Sequence, residues 1–127
     1  MIGSEATTRG VRVTVEPRYS PSHSGSGQWF FLYTVEITNL GSETVQLVSR
    51  YWLIRDGVGR TEEVRGPGVV GEQPVLEPGE SYEYTSGCPL PTPFGSMEGH
   101  YEMVTAEGEI FEARIAEFVL REPGAIH

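Results

Sequence analysis

The chain has 127 residues, 38% of them apolar, with 18 acidic and 9 basic side chains and a formal charge of −9. That length makes one core, and the negative balance excludes nonspecific nucleic-acid binding and a basic membrane-holding patch, both of which need cations against phosphate. The lone Cys88 cannot close an internal disulfide, no stretch approaches the ~20 apolar residues of a spanning helix, and residues 1–9 lack the basic start and apolar run of a signal peptide, so no membrane insertion and a cytoplasmic location are expected.

The dominant period along the chain is two. In Val11-Arg12-Val13-Thr14-Val15-Glu16 the valines share one face, the pattern of a half-buried strand that Pro17 is expected to end. Residues 20–28, rich in Ser and Gly, read as a loop. A strand over residues 29–39 aligns Trp29, Phe31, Tyr33, Val35 and Ile37, and Asn39-Leu40-Gly41-Ser42 turns the chain. Residues 44–55 form a second long strand whose phase slips between Val45 and Leu47 on one side and Trp52 and Ile54 on the other, which predicts a bulge near Ser49-Arg50. Asp56-Gly57-Val58-Gly59 reads as a hairpin loop leading into a short return strand over residues 61–65.

Residues 66–79 are rich in Gly and Pro and read as a long loop, followed by a strand over residues 81–86 with Tyr82 and Tyr84 on one face. Cys88-Pro89-Leu90-Pro91-Thr92-Pro93 is expected to cross between sheets, because proline has no donor for a ladder. Residues 101–105 and 109–120 form a last hairpin. Its second strand slips phase between Phe111, Ala113 and Ile115 and then Phe118 and Leu120, which predicts a kink near Ala116-Glu117.

About seven strands separated by turn signals, with no capped helical stripe, predict an all-β fold, an immunoglobulin-like or fibronectin type III-like β-sandwich. It is expected as one domain over residues 1–127, with an ordered core over about residues 9–122. Glu98-Gly99-His100-Tyr101 has the look of a tyrosine corner, with Met103 where antibody domains carry their second cysteine.

Several blocks resemble the bacterial ApaG (CorD) family, in order along nearly the whole chain. They are Arg50-Tyr51-Trp52-Leu53-Ile54-Arg55-Asp56, the specific run Glu63-Val64-Arg65-Gly66-Pro67-Gly68-Val69-Val70-Gly71-Glu72-Gln73-Pro74, then Pro78-Gly79-Glu80-Ser81, Tyr84-Thr85-Ser86-Gly87 and Gly95-Ser96-Met97-Glu98-Gly99-His100-Tyr101. The resemblance implies a sandwich fold and a cytoplasmic bacterial protein linked to cobalt resistance and magnesium efflux. It also implies a neighbour that hydrolyses diadenosine polyphosphates, and a binding module, since eukaryotic relatives carry the domain inside F-box proteins and a polymerase-interacting protein. It supplies no enzyme activity and no agreed ligand residues. The chain departs at Tyr51, where the family often has His, and at Cys88.

Gly66, Gly68 and Gly71 have the spacing of a dinucleotide-binding glycine loop. Gln73-Pro74 and Pro78-Gly79 prevent the helix that such a loop needs behind it, so a backbone nest helped by Arg65 is the most it offers an anion. His23, His100, His127 and Cys88 show no metal-ligand spacing, Glu62-Glu63 and Glu107/Glu109 read as solvated acids, and no catalytic constellation is visible. The expected function is a non-enzymatic protein-interaction or regulatory module in divalent-cation homeostasis, without cofactor or metal. Its working surface is the loop of Arg65, Gly66, Gly68, Val69, Val70, Gly71, Glu72 and Gln73. The alternative is weak binding of pyrophosphate-containing nucleotides through residues 66–71. The protein partner is unidentified, and a homodimer is left open.

Overall fold

The computed structural model describes residues 3–124. Nine strands follow one another: β1 Ser4–Thr8, β2 Val11–Tyr19, β3 Trp29–Asn39, β4 Val45–Asp56, β5 Thr61–Pro67, β6 Val75–Leu76, β7 Ser81–Leu90, β8 Phe94–Thr105 and β9 Ile110–Arg121. One sheet has the order β1-β2-β3-β7 and the other β5-β4-β8-β9, with β6 pairing with the start of β4. The only helical element among the described residues is a 3-10 turn, Pro21–His23. The expected all-β sandwich is what forms.

The alternating apolar residues meet between the sheets. Val11, Val13 and Val15 of β2 and Phe31, Val35 and Ile37 of β3 are buried against Leu47, Met97, Tyr101, Met103, Ile115 and Phe118 of the other sheet. Trp52 sits at the centre, 5.3 Å from the Tyr33 ring and edge-on to Tyr101 and Phe118. The Tyr84 and Tyr101 phenols hydrogen-bond each other, so neither buried hydroxyl lacks a partner. Burial pushes both phenol pKa values up.

Both phase slips are bulges. The β4–β8 register shifts between Leu47 and Ser49, leaving Val48 as the extra residue, and on β9 Ala116 and Glu117 lie between the pairs Gly99–Ile115 and Met97–Phe118. Each bulge flips the inward phase, so Leu47 and Trp52 are both buried, as are Ile115 and Phe118.

Four expectations need correction. Pro17 does not end β2: it is buried and pairs with Tyr33 of β3, beyond the last described β1–β2 pair, Ser4–Val15. Cys88, Pro89 and Leu90 are likewise in a ladder, opposite Phe31, Phe30 and Trp29. Because β7 is an edge strand, Pro89 can direct its missing donor outward, and the crossing to the other sheet is confined to residues 91–93. There is no tyrosine corner, since Tyr101 lies in the middle of β8 with its hydroxyl on Tyr84 rather than on nearby backbone. Among the described residues the strands number nine, because β1 and β6 escape the pattern, and β8 starts at Phe94, seven residues before its expected start.

Candidate functional site

The run from Arg65 to Gln73 is half strand and half turn. Arg65, Gly66 and Pro67 finish β5 opposite Tyr51, Arg50 and Ser49. The chain then turns on Gly68, at φ +59°, and on Gly71, at φ +82°. A Cβ on Gly68 would stand 2.2 Å from the Glu72 carbonyl oxygen, so only glycine fits there. The turn is closed by reciprocal bonds, Val69 N–H to the Glu72 carbonyl at 2.8 Å and Glu72 N–H to the Val69 carbonyl at 2.9 Å. Gly68 N–H donates to the Val48 carbonyl at 2.8 Å.

Three of the loop's amides are therefore bonded to the protein's own carbonyls, whereas a phosphate cradle needs its amides turned outward. No helix follows the loop. The side chains around it also brace it. Arg50 Nη1 donates to the Pro67 and Gly68 carbonyls at 2.9 and 3.0 Å. Gln73 Nε2 donates to the Val48 carbonyl, and Gln46 Nε2 to that of Gln73.

The predicted site residues separate into two groups. Gly68 and Val69 are buried, Val69 as a plug in the apolar core, and hold the loop in place. Arg65, Val70, Gly71, Glu72 and Gln73 are exposed, and Gly66 is half-buried beneath the Arg50 guanidinium. Val70 is the outlier. Its φ is +42°, and 57% of its surface is open to solvent. The left-handed region costs a β-branched residue about 1–2 kcal/mol, and no burial offsets it here.

Beside the loop, the outer face of the second sheet carries a ladder of planar groups. The Arg65 guanidinium lies 4.4 Å over the Tyr51 ring, Tyr51 stacks on His100 at 5.0 Å, and His100 Nε2 is 3.4 Å from Glu112. The Tyr51 hydroxyl donates to Glu63 at 2.6 Å, which raises the phenol pKa, and Arg65 also approaches Glu63 at 3.8 Å. Tyr51 is thus a stacking residue in an interlocked set. Together with Ser49, Gln73 and Glu102, the groups Arg65, Tyr51, His100 and Glu112 line a shallow concavity of about 480 Å³ beside the loop. Period-two reading places Tyr51, Arg65 and His100 on polar faces; their stacking comes from cross-strand register, which one strand's sequence does not display.

Elsewhere the chemistry is quiet. Burial pushes the Cys88 thiol up to about 12, which keeps it protonated and unreactive. His23 Nδ1 lies 2.6 Å from the Ser20 hydroxyl, and His127 is outside the described residues. Among the described residues, the metal-ligand types that converge are Glu43, Glu107 and Glu109, all exposed. Arg9 already lies 3.9 Å from Glu43 and 3.6 Å from Glu109, so a guanidinium supplies the positive charge there. No helix of the described residues is long and apolar enough to cross a membrane.

Fold and site together define a small β-sandwich module that holds one rigid turn out beside an edge strand. A family profile described as the ApaG domain matches residues 19–105. Over 121 residues the chain is 60% identical to Protein ApaG of Methylobacterium sp. (strain 4-46), covering 94% of this chain and 93% of that one. A crystal structure described as ApaA from Bordetella pertussis is 55% identical with a TM-score of 0.88, over 91% of this chain and 95% of that one. A second X-ray structure, a structural-genomics target, is 45% identical with a TM-score of 0.89, over 96% and 94%. The chain belongs to the ApaG family.

Proposed function

We propose that this chain is a cytoplasmic, non-enzymatic protein-interaction or regulatory module acting in divalent-cation homeostasis. Its partner-facing surface is the exposed part of the loop, Arg65, Val70, Gly71, Glu72 and Gln73, continued by the edge strand β5. The observation that carries this reading is Val70, a branched apolar side chain held in solvent at a backbone angle that disfavours it. Strain kept at an exposed position points to use of that position. The bracing by Arg50, Gln46 and Gln73 supports the same reading, because a preorganised loop loses little entropy on binding. Val75, 55% exposed and just beyond the turn, is a second exposed apolar side chain in the same segment.

Capture of the native partner from the source cell by immobilised protein tests this. Val70→Asp leaves the turn's bonds in place and is expected to reduce capture at least tenfold with an unchanged amide spectrum elsewhere; Arg65→Ala is expected to weaken it by less. Gly68→Glu is the poorer test, since it distorts the turn itself. Undiminished capture by Val70→Asp rejects the loop as the contact surface. Weak pyrophosphate binding remains the lesser alternative: it has Arg65 and the loop amides not bonded to carbonyls to draw on, and no observation favours it.

A further inference from the structure

Between the edges of β5 and β7 the two sheets frame a pocket of about 250 Å³. Its walls are apolar: Trp52, Ile54 and Val64 on one sheet with Met97, and Cys88 and Pro89 on the other. Its polar groups are few and sit apart. Arg50 stands opposite Gly66 and Glu62 opposite Ile54, four residues apart along β5, and Tyr33, Ser86 and Cys88 of the other sheet line the same pocket.

Arg50 is the informative residue. Both donors of Nη1 are used on the Pro67 and Gly68 carbonyls, and the flat guanidinium rests on Gly66, where a Cβ would be 3.0 Å from Nη2. No carboxylate of the described residues lies within ion-pair distance of it, although acids outnumber bases 18 to 9 in the chain. The Nε and Nη2 donors of a half-buried cation are left for something else, in a chain that had carboxylates to spare. Gly66 matters for the same reason, because it lets the guanidinium lie flat on the strand; a Cβ there would press on its face at 3.0–3.1 Å.

We infer that this pocket is a binding site for a small organic monoanion, a carboxylate on a branched aliphatic or single-ring body. The carboxylate takes the fork of Arg50 beside Tyr33 and Ser86, and the body packs on Trp52, Val64, Ile54 and Met97. Glu62 at the other end repels a second negative charge, so dicarboxylates and polyphosphates are rejected. The volume points the same way, lying below the roughly 300–1,000 Å³ of pockets that hold drug-sized ligands, which favours a small body over a nucleotide. This site is separate from the loop surface proposed above, although Arg50 touches both.

Trp52 reports on the pocket directly. In a Trp29→Phe background, titrate 4-methylpentanoate, phenylacetate, the neutral 4-methylpentanamide, adipate and inorganic pyrophosphate while following Trp52 emission and the amide signals of Ser86, Gly87 and Cys88. The expected result is saturable binding of the two monocarboxylates, at least tenfold weaker binding of the amide and adipate, and none of pyrophosphate. Arg50→Lys keeps the charge but loses the fork, and Arg50→Gln loses both. Monocarboxylate affinity is expected to fall several-fold and more than tenfold respectively, in proteins whose amide spectra confirm folding. Glu62→Gln is expected to bring adipate to within a few-fold of the monocarboxylates. Equal binding of acid and amide, or no saturation by any monocarboxylate, overturns the inference. The loop proposal stands or falls separately, on capture by Val70→Asp.

Discussion

Along one long side of the sandwich β1 and β9 are laced together, while along the other β5 and β7 frame a pocket. On the first side Ser4 Oγ donates to the Ala116 carbonyl at 2.7 Å, Arg114 N–H donates to Thr8 Oγ1 at 3.1 Å, and Arg9 lies 4.8 Å over the Phe111 ring. On the second side each edge is guarded separately. β7 has Pro89 and the exposed Glu83, and β5 turns the Glu62 carboxylate towards the seam and ends in Gly66 and Pro67. An edge strand must be covered or blunted against unwanted pairing, and this chain uses one solution on each side. The covered side adds stability; the blunted side stays accessible, and both proposed surfaces lie there.

The largest effect expected from this contrast is in alkali. If water reached the interior between the sheets, Tyr33 at the seam pocket and the core pair Tyr84 and Tyr101 would ionise near 10. Burial instead raises all three above that value. The unfolded phenols give up protons first, so stability is complete below about pH 10 and is lost as pH rises from there through the folded pKa values. The slope is about 1.4 kcal/mol per pH unit for each phenol held neutral. Urea unfolding at stepped pH, with Tyr84→Phe as control, is expected to show this fall and a shallower one in the variant. A flat profile above pH 10 means that water reaches the interior.

A smaller effect compares the two sides by single substitutions. Thr8→Ala takes away the acceptor of the Arg114 amide and is expected to cost about 1 kcal/mol. Glu62→Gln on the open edge is expected to change stability by no more than ~0.5 kcal/mol. Chemical denaturation of the two variants measures both, and a Glu62 effect equal to that of Thr8 removes the distinction between the sides.

Much of the fold was legible because burial writes a period into the sequence. The limits of β3 and both bulges follow from where the apolar phase holds and where it slips, at Val48 and at Ala116-Glu117. What stayed hidden has little burial to write with. β1, Ser-Glu-Ala-Thr-Thr, is an edge strand that buries no side chain fully, and β6 has two residues. Pro17 and Pro89 mislead because the cost of a proline depends on which way its nitrogen faces, and that depends on the neighbouring strand. The glycine loop was readable as a turn without a helix. Its internal amide bonds, and the placing of Arg50 beneath it, depend on the register between β4 and β5 and are not visible in either segment alone.

The central physical claim is that the loop is a closed, self-bonded turn that presents side chains, with its amides turned inward. Amide hydrogen exchange at Gly68, Val69 and Glu72, measured with and without millimolar pyrophosphate, tests it most directly. The account predicts exchange slowed to the level of neighbouring β5 amides and unchanged by pyrophosphate. Unprotected exchange at all three, slowed by added pyrophosphate, would contradict it.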